Sequence, residues 1–526
     1  MTSQSFLIVV EVTLMDSILI VGAGPTGLVM ALGLARRGVP VRIIDSKKGP
    51  SRESRAMGLH ARTLEFYRQF GFADEVVRNG VVADSVHFRA GERDVARFSL
   101  ADMGKGISPY PFMLAYPQDQ HERFLLDRLG RLGVAVQWGA TLTDLHDDGD
   151  AVTVTIDDGT SAEQTRFAYV AGCDGAHSMV REALGIGFAG GSSEGLFYVA
   201  DAAVSGAGGD EIFVGFREAG MALKIPVRST GTQRLIGVVP PDLRIREPIG
   251  FEDLRAHIEH LLGVQVGEVN WFSTYQVHHR VADRFRRGRV FIAGDAGHIH
   301  SPAGGQGMNT GIGDAVNLSW KFAEVLHGRA DQRLLDTYEA ERIPFARSLI
   351  ATTDRVFQFL VDNGKAAQVA RVHVLPKVVA TLAKFSRPRR LMFKTVSQTR
   401  ISYRVCDFNR GRGGVVHGGD RLPWIVNAES DNFAPLQSLD WQLHVYGDAS
   451  PALLETAQQL GLPIHRFPWN EKTREAGVGR DAAYLVRPDG YVALAADSAD
   501  TSGELIEFVG RWGLAFGGPA QPRIEP

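Results

Sequence analysis

The chain has 526 residues, 44% of them apolar and 22% charged, a length that calls for two or three domains of ordinary globular composition. Its 57 Lys and Arg against 60 Asp and Glu give a net charge of −3 and read without a basic run, so nucleic acid and an anionic membrane are excluded as expected partners. The two cysteines, Cys173 and Cys406, exclude a disulfide framework and a thiolate metal site and imply a reduced, cytoplasmic compartment.

Residues 6–14 are apolar but too short to span a bilayer and lack the basic lead of a signal peptide. Met15 directly precedes the first clear strand, so residues 1–14 read as an upstream extension, either disordered or an added edge strand. Residues 17–21 form a continuous apolar strand, Gly22 to Gly27 turn into a helix that runs to about Arg37, and residues 40–45 form a second strand ending on Asp45. This is a complete βαβ unit. Helices follow over about 61–70 and 121–132, then an alternating β-meander between 134 and 170 whose last strand enters Cys173-Asp174-Gly175. Residues 196–282 read as a separate antiparallel sheet with one helix at about 251–262, and helices dominate from 309 to about 401. The Gly- and Arg-rich stretch 408–420 reads as a linker, beyond which strands and helices alternate to the end of a helix near 512.

Three segments carry chemistry. In Gly22-x-Gly24-x-x-Gly27 the glycines permit a tight turn and close approach to a pyrophosphate, and Asp45, about 20 residues on, can accept the two ribose hydroxyls of an adenosine. An acid there suits FAD or NAD rather than a 2′-phosphate, and this motif alone does not separate the two. The second segment, Cys173 to Ser178, is an Asp-Gly turn after a buried strand. In the third, a strand from Val290 ends at Asp295, and a Gly/Pro loop through Pro302, Gly305, Gly307 and Met308 leads into a helix beginning near Asn309. Such a loop brings bare amides and a helix N-terminus up to an electron-rich ligand.

Together, in this order, the three segments resemble the fingerprints of the class A flavoprotein aromatic hydroxylases, the para-hydroxybenzoate hydroxylase-like FAD monooxygenases. The resemblance is specific over about 16–400. It implies an α/β fold: a Rossmann-like FAD-binding domain (15–90, 116–195 and 283–345), an inserted antiparallel substrate sheet (91–115 and 196–282) and a helical segment (346–407). The tail, 421–526, is similar to the cysteine-free thioredoxin-like domain of phenolic-ring and polyketide hydroxylases, and Pro488-Asp489-Gly490 matches their tails weakly.

As residue roles, the resemblance implies that Gly22, Gly24, Pro25, Thr26, Gly27 and Asp45 hold the FAD adenosine and pyrophosphate. Arg55 meets the pyrophosphate, Gln118 contacts the flavin, and Asp174 and Gly175 lie on the flavin side beside a route for NADPH or NADH. Asp295 takes a ribityl hydroxyl, Gly305 belongs to the cofactor-binding loop, the backbone of Gly307, Met308 and Asn309 faces the flavin N1/O2 edge, and Pro302 lines its reactive face. His60 is the candidate acid–base residue, against a loop-shaping role for His298 and His300. Phe213 and Tyr275 are candidates for the aromatic pocket, with core packing as the competing reading for both.

The activity implied is hydroxylation of an activated, phenolic aromatic or polyketide ring by a monomer or homodimer, using NAD(P)H and O2 through a flavin C4a-hydroperoxide. Three readings compete. A flavin-dependent halogenase or epoxidase shares the scaffold, but the Trp-x-Trp-x-Ile-Pro motif of halogenases is absent. An NAD-dependent dehydrogenase has no counterpart to the Asp295 segment. A non-catalytic flavin sensor would bind the cofactor and consume nothing.

Overall fold

The computed structural model describes residues 16–517 apart from 52–55, 84, 91–92, 207–210, 218–219, 228–230, 241, 244–247, 302–303, 362–363, 365–369, 371–373, 383, 427–430 and 499–500. The βαβ unit forms as its pattern dictates: Ile18–Val21, helix Pro25–Ala35, Val41–Asp45. Ile18, Leu19 and Ile20 are inaccessible to solvent, as a strand apolar on both faces requires. It lies inside a six-stranded sheet ordered Arg286–Arg287, Val290–Ile292, Tyr169–Gly172, Ile18–Val21, Val41–Asp45, Val136–Trp138. All pairings are parallel except that of the edge strand Arg286–Arg287. Ile18 sits opposite both Tyr169 and Val41, and Val170 opposite Val290. Three strands that end in sequence motifs therefore lie side by side and point the same way. Helix Gly307–Leu326 packs across helix Pro25–Ala35 at glycine contacts, where a Cβ on Gly33 would lie 2.5 Å from Ser319 Oγ. The meander is Thr141–Asp147, Val152–Asp157 and Ala162–Phe167.

The second sheet has eight strands, ordered His298–Ile299, Gln265–Ala282, Phe188–Ser205, Gln233–Val238, Gly220–Pro226, Ile212–Arg217, Ser85–Ala90, Arg93–Ser99. It takes in Ser85–Ala90 and the first residues of Phe188–Ser205, beyond the expected 91–115 and 196–282, because the two 18-residue strands pair along most of their length. It is also not wholly antiparallel, since Ile212–Arg217 runs parallel to Ser85–Ala90. Helix Phe251–Leu262 buries Leu254, Ile258 and Leu261 against Tyr198, Ala200, Ala222 and Leu235 on one face. The other face meets Met57, Ala83, Met113 and Ala115 beneath the first domain.

The stretch 408–420 is not a linker. Arg410–Gly413 and Val416–His417 form a hairpin on the C-terminal sheet, with Arg410–Gly413 parallel to Val492–Ala496. Glycine is what lets it pair: a Cβ on Gly411, at φ +74°, would lie 2.0 Å from Ala495 O. The rest of that sheet continues Ala482–Val486, Gln442–Tyr446, Ile464–Phe467. Gln442–Tyr446 is parallel to Ile464–Phe467 and antiparallel to Ala482–Val486, with helices Pro451–Gln459, Glu471–Ala476 and Ser502–Trp512 between and after the strands.

The C-terminal unit is bolted to the first domain by buried charge. Glu341 accepts from Lys321 Nζ (2.8 Å), Arg487 Nη1 (2.6 Å) and Asn409 Nδ2 (3.0 Å), and Arg487 Nη2 also reaches Asp489 Oδ2 (2.6 Å). Asp489 accepts from Trp320 Nε1 at 3.1 Å, and its carbonyl accepts from Arg62 Nη2 at 2.7 Å. A second knot joins Glu65 to Arg421 Nε (2.7 Å), Arg62 Nη1 (2.9 Å) and Ser108 Oγ (2.6 Å). Burial alone would raise both carboxyls, but Arg487 and Lys321 hold Glu341, and Arg421 and Arg62 hold Glu65, below the ordinary value. Removing one member leaves a desolvated charge, which costs about 3–5 kcal/mol. Arg487→Leu should therefore lower unfolding free energy by about that much in a urea titration followed by circular dichroism, and a loss within ±0.5 kcal/mol, the range of a neutral surface change, would refute the bolt.

Candidate active site

Because Ile18–Val21, Tyr169–Gly172 and Val290–Ile292 are parallel neighbours, Gly22, Asp174 and Gly294-Asp295 all leave the same sheet edge. Carboxyl ends of parallel strands are where α/β sheets bind ligands. At Gly22 (φ +103°) a Cβ would lie 2.4 Å from Cys173 O, and at Gly27 it would lie 2.0 Å from Gly22 O. Protein sterics demand both glycines. Gly24 differs: a Cβ there meets nothing within 4 Å, so its bareness leaves open space outside the N-terminus of helix Pro25–Ala35. Gly24 is the N-cap without a side-chain cap bond and Pro25 opens the helix, so the first amides point at that space. Asp45 Oδ2 accepts from Ala23 N and Oδ1 from Lys47 N, each at 2.8 Å, which fixes the carboxylate at the strand end with lone pairs left for ribose hydroxyls. Thr26 is a lock rather than a cradle: its Oγ1 occupies the place where a Cβ on Gly294 or Gly311 would come within 2.6 or 2.4 Å.

Asp174 Oδ2 accepts from Val180 N at 3.1 Å, while Oδ1 is buried without a hydrogen-bond partner. Burial raises this carboxyl, outweighing Ser178 and the Val180 amide. Gly175, at φ +80°, is open on its Cβ side. Asp295 is exposed on the short turn Gly294–Ala296. Gly304 and Gly305 adopt φ +79° and +63° to aim the loop at helix Gly307–Leu326. That helix starts without a side-chain cap, so the amides of Gly307, Met308 and Asn309 have no intrahelical acceptor. They suit a ligand edge that gains negative charge.

The Asn309 side chain is fully committed elsewhere. Oδ1 accepts from His60 N (2.9 Å) and Thr63 Oγ1 (2.7 Å), and Nδ2 donates to Gly58 O (2.8 Å) and Gly305 O (3.0 Å). His60, 2% exposed, caps helix Ala61–Gln69 by position, and its Nε2 lies 2.9 Å from Gly304 O. Burial pushes its pKa down to about 4 despite the Gly304 and Gly305 carbonyls. The ring is therefore neutral near pH 7, with Nε2–H donating to the loop. Gln118 opens helix Gln118–Arg131; its Oε1 accepts from Ala56 N at 3.2 Å and its Nε2 donates to Glu122 at 2.9 Å, tying down the segment that follows Arg55. Arg55 and Pro302 lie outside the described residues.

Phe213 is not on the face that meets the first domain. It is cross-strand to Lys224, which is cross-strand to Leu235, so it shares the face under helix Phe251–Leu262. There it stacks on His87 with centroids 4.8 Å apart and lies 4.6 Å from Lys224 Nζ. Tyr275 is on the opposite face, 5.8 Å from Phe197 and beside Val238 and Val277.

Sequence reasoning missed the support beneath the Asp295 turn. Asp314 Oδ2 accepts from Gly294 N (3.0 Å) and meets His298 Nε2 (2.6 Å), and its Oδ1 accepts from Arg342 Nε (2.5 Å). Burial opposes the charge, yet Arg342 and His298 hold Asp314 at about 2. Gln398, at φ +60°, donates through Nε2 to Thr310 Oγ1 (2.9 Å) and Gln306 O (3.3 Å). These partners are 16 to 92 residues apart, and no local pattern announces them.

A pH test follows from His60. Between 6.5 and about 4 the unfolded chain takes up a proton that the folded chain refuses, so stability falls as pH drops through that window. His60→Gln removes one such proton from the linkage and should reduce the slope of unfolding free energy against pH there by about 1.4 kcal/mol per unit. The same slope in both proteins would show that His60 is not held neutral.

Sequence and structure comparisons agree with this geometry. A family described as FAD binding domain matches residues 15–353. The 6-methylpretetramide 4-monooxygenase of Streptomyces rimosus is 33% identical, over 92% of this chain and 91% of its own. The anhydrotetracycline hydroxylase structure from Streptomyces rimosus superposes with TM-score 0.75 at 28% identity, covering 96% and 99% of the two chains. An aklavinone-11 hydroxylase solved with FAD and aklavinone gives TM-score 0.73 at 25% identity, covering 94% and 98%. The open cradle at Gly24, the anchored Asp45 and the bare helix amides fit FAD. The chain belongs to the FAD-binding-domain family and, within it, to the class A flavoprotein aromatic hydroxylases, with FAD as its cofactor.

Proposed function

We propose that this flavin-dependent monooxygenase uses NAD(P)H and O2 to hydroxylate an activated, phenolic aromatic or polyketide ring. The observation that carries the reading is the convergence of Gly24, Asp174, Asp295 and the bare amides of Gly307 to Asn309 at one sheet edge. Bound FAD supplies the redox chemistry, passing reducing equivalents from NAD(P)H to O2.

The chain's own residues bind, aim and shield. Asp45 and the Gly24 loop hold the adenosine and pyrophosphate end. Asp295 accepts a ribityl hydroxyl, held outward by Asp314 under Gly294. The amides of Gly307, Met308 and Asn309 stabilise negative charge at the flavin edge. His60 keeps the Gly304–Gly305 loop in place as a neutral donor. The sheet face bearing Tyr275, Phe197 and Val238 walls the substrate space and excludes water. The chain carries one dinucleotide fingerprint, so NAD(P)H binds transiently beside Asp174, whose buried Oδ1 is unsatisfied. The C-terminal unit has the strand–helix–strand–helix–strand–strand–helix order of a thioredoxin-like domain. Lacking cysteine beyond Cys406, it serves as a buttress rather than a redox centre.

The expected result is a yellow protein with about one flavin per chain and NADH or NADPH oxidation accelerated by one class of phenol, with a hydroxylated product by mass spectrometry. A colourless protein that FAD does not reconstitute, or a flavin whose reduction no aromatic accelerates, would overturn the reading. Asp295→Ala should weaken FAD binding about tenfold or more, since a charge-assisted hydrogen bond contributes about 1.5–3 kcal/mol; unchanged affinity by fluorescence titration would displace the ribityl site.

A further inference from the structure

We infer that the helical pair Leu375–Leu382 and Ser386–Val396 is a docking surface for an anionic lipid bilayer. The chain-wide charge balance conceals it. From 374 to 406 the sequence has eight Lys and Arg and no Asp or Glu, whereas the remainder has 49 against 60. Among the described residues, eight of the thirteen large apolar side chains that stand exposed also fall there: Val374, Val378, Leu382, Phe385, Leu391, Met392, Val396 and Val405.

The two features adjoin along the same pair of helices. Val374, Val378 and Leu382 follow at i, i+4 and i+8, one stripe along the first helix, and Phe385 stands just beyond its end. Lys377 and Lys384 flank the stripe, where their stems can lie along apolar surface with the ammonium in a headgroup layer. Phe385, at the break between the helices, is 58% exposed. Arg387, Arg390, Lys394 and Arg400 are also exposed, and among the described residues no carboxylate pairs with these six cations. Each helix is pinned from beneath, which keeps the stripe outward. Leu375 packs with Ile212, Val214 and Phe216, and Phe393 fills the space where a Cβ on Gly104 would come within 2.7 Å.

An apolar stripe edged by Lys and Arg is the pattern of a helix lying in a membrane interface, and each cation near an anionic surface adds attraction. No described helix is long and apolar enough to cross a membrane, so the contact is peripheral. A second copy of this chain is the poorer occupant, because like faces would press six exposed cations against six others.

The test is co-sedimentation of the purified full chain with phosphatidylcholine vesicles, with and without admixed phosphatidylglycerol. Binding should require the anionic lipid and weaken as salt rises. It should fall about tenfold or more in Leu382→Ser/Phe385→Ser and in Lys384→Glu/Arg387→Glu, with thermal unfolding and flavin content unchanged. No binding to either vesicle, equal binding to both, or full binding by the variants would overturn the proposal. So would a concentration-dependent dimer abolished by Leu382→Ser/Phe385→Ser, which would assign the face to a second copy, or retention of the wild type by an acidic protein in preference to the vesicles.

Discussion

Parallel pairing of Ile18–Val21 with Tyr169–Gly172, and of Tyr169–Gly172 with Val290–Ile292, brings three chain exits within two strand spacings, about 10 Å. Each exit must leave the sheet without blocking its neighbour, and this steric demand organises the site. Gly22 has no room for a side chain because Cys173 leaves beside it, and Gly294 has none because Thr26 fills the space. The backbone that results is dense on the protein side and bare on the outer side. A bare backbone at a helix N-terminus is an anion site before any side chain is considered.

Side chains enter mainly as scaffolding. His60, Asn309, Asp314 and Gln398 each commit a polar atom to a backbone group of the Gly294 turn or the segment Gly304–Asn309. A flavin enzyme of this kind needs few reactive side chains, because the cofactor carries the difficult chemistry and the protein contributes position and dryness. What it does need is rigidity under the loops, and buried, charge-compensated networks provide it. The Glu65 and Glu341 knots extend that rigidity into the C-terminal unit, whose Pro488-Asp489-Gly490 turn reaches Arg62 two residues beyond His60. The tail is thereby part of the support of the site.

Charge is organised by region rather than by total. A net −3 describes a chain whose helical pair before residue 400 carries only cationic charges and whose buried Glu65, Asp314 and Glu341 are each neutralised by arginine or lysine. Composition averages these populations, and only placement in space separates them.

Much of the fold was legible in the sequence. Continuous apolar strands, a glycine turn and acids at strand ends are local patterns, and they determined the βαβ unit, the meander, the helix at Phe251–Leu262 and the three motif loops. The facing of Phe213 and Tyr275 was not legible, because register decides which side of a strand meets the cofactor domain, and a shift of one residue reverses it. The hairpin at Arg410–Gly413 was hidden because glycine-rich sequence serves a flexible segment and a close backbone approach equally well. The partners of Asp314, Gln398 and Arg487 were hidden because buried ion pairs join residues distant in sequence, and no periodicity encodes them. The sequence by itself determined where backbone would be left bare at the carboxyl ends of the parallel strands. Tertiary structure alone decided which side chains hold that backbone still, since desolvated charges choose partners by proximity in the folded chain.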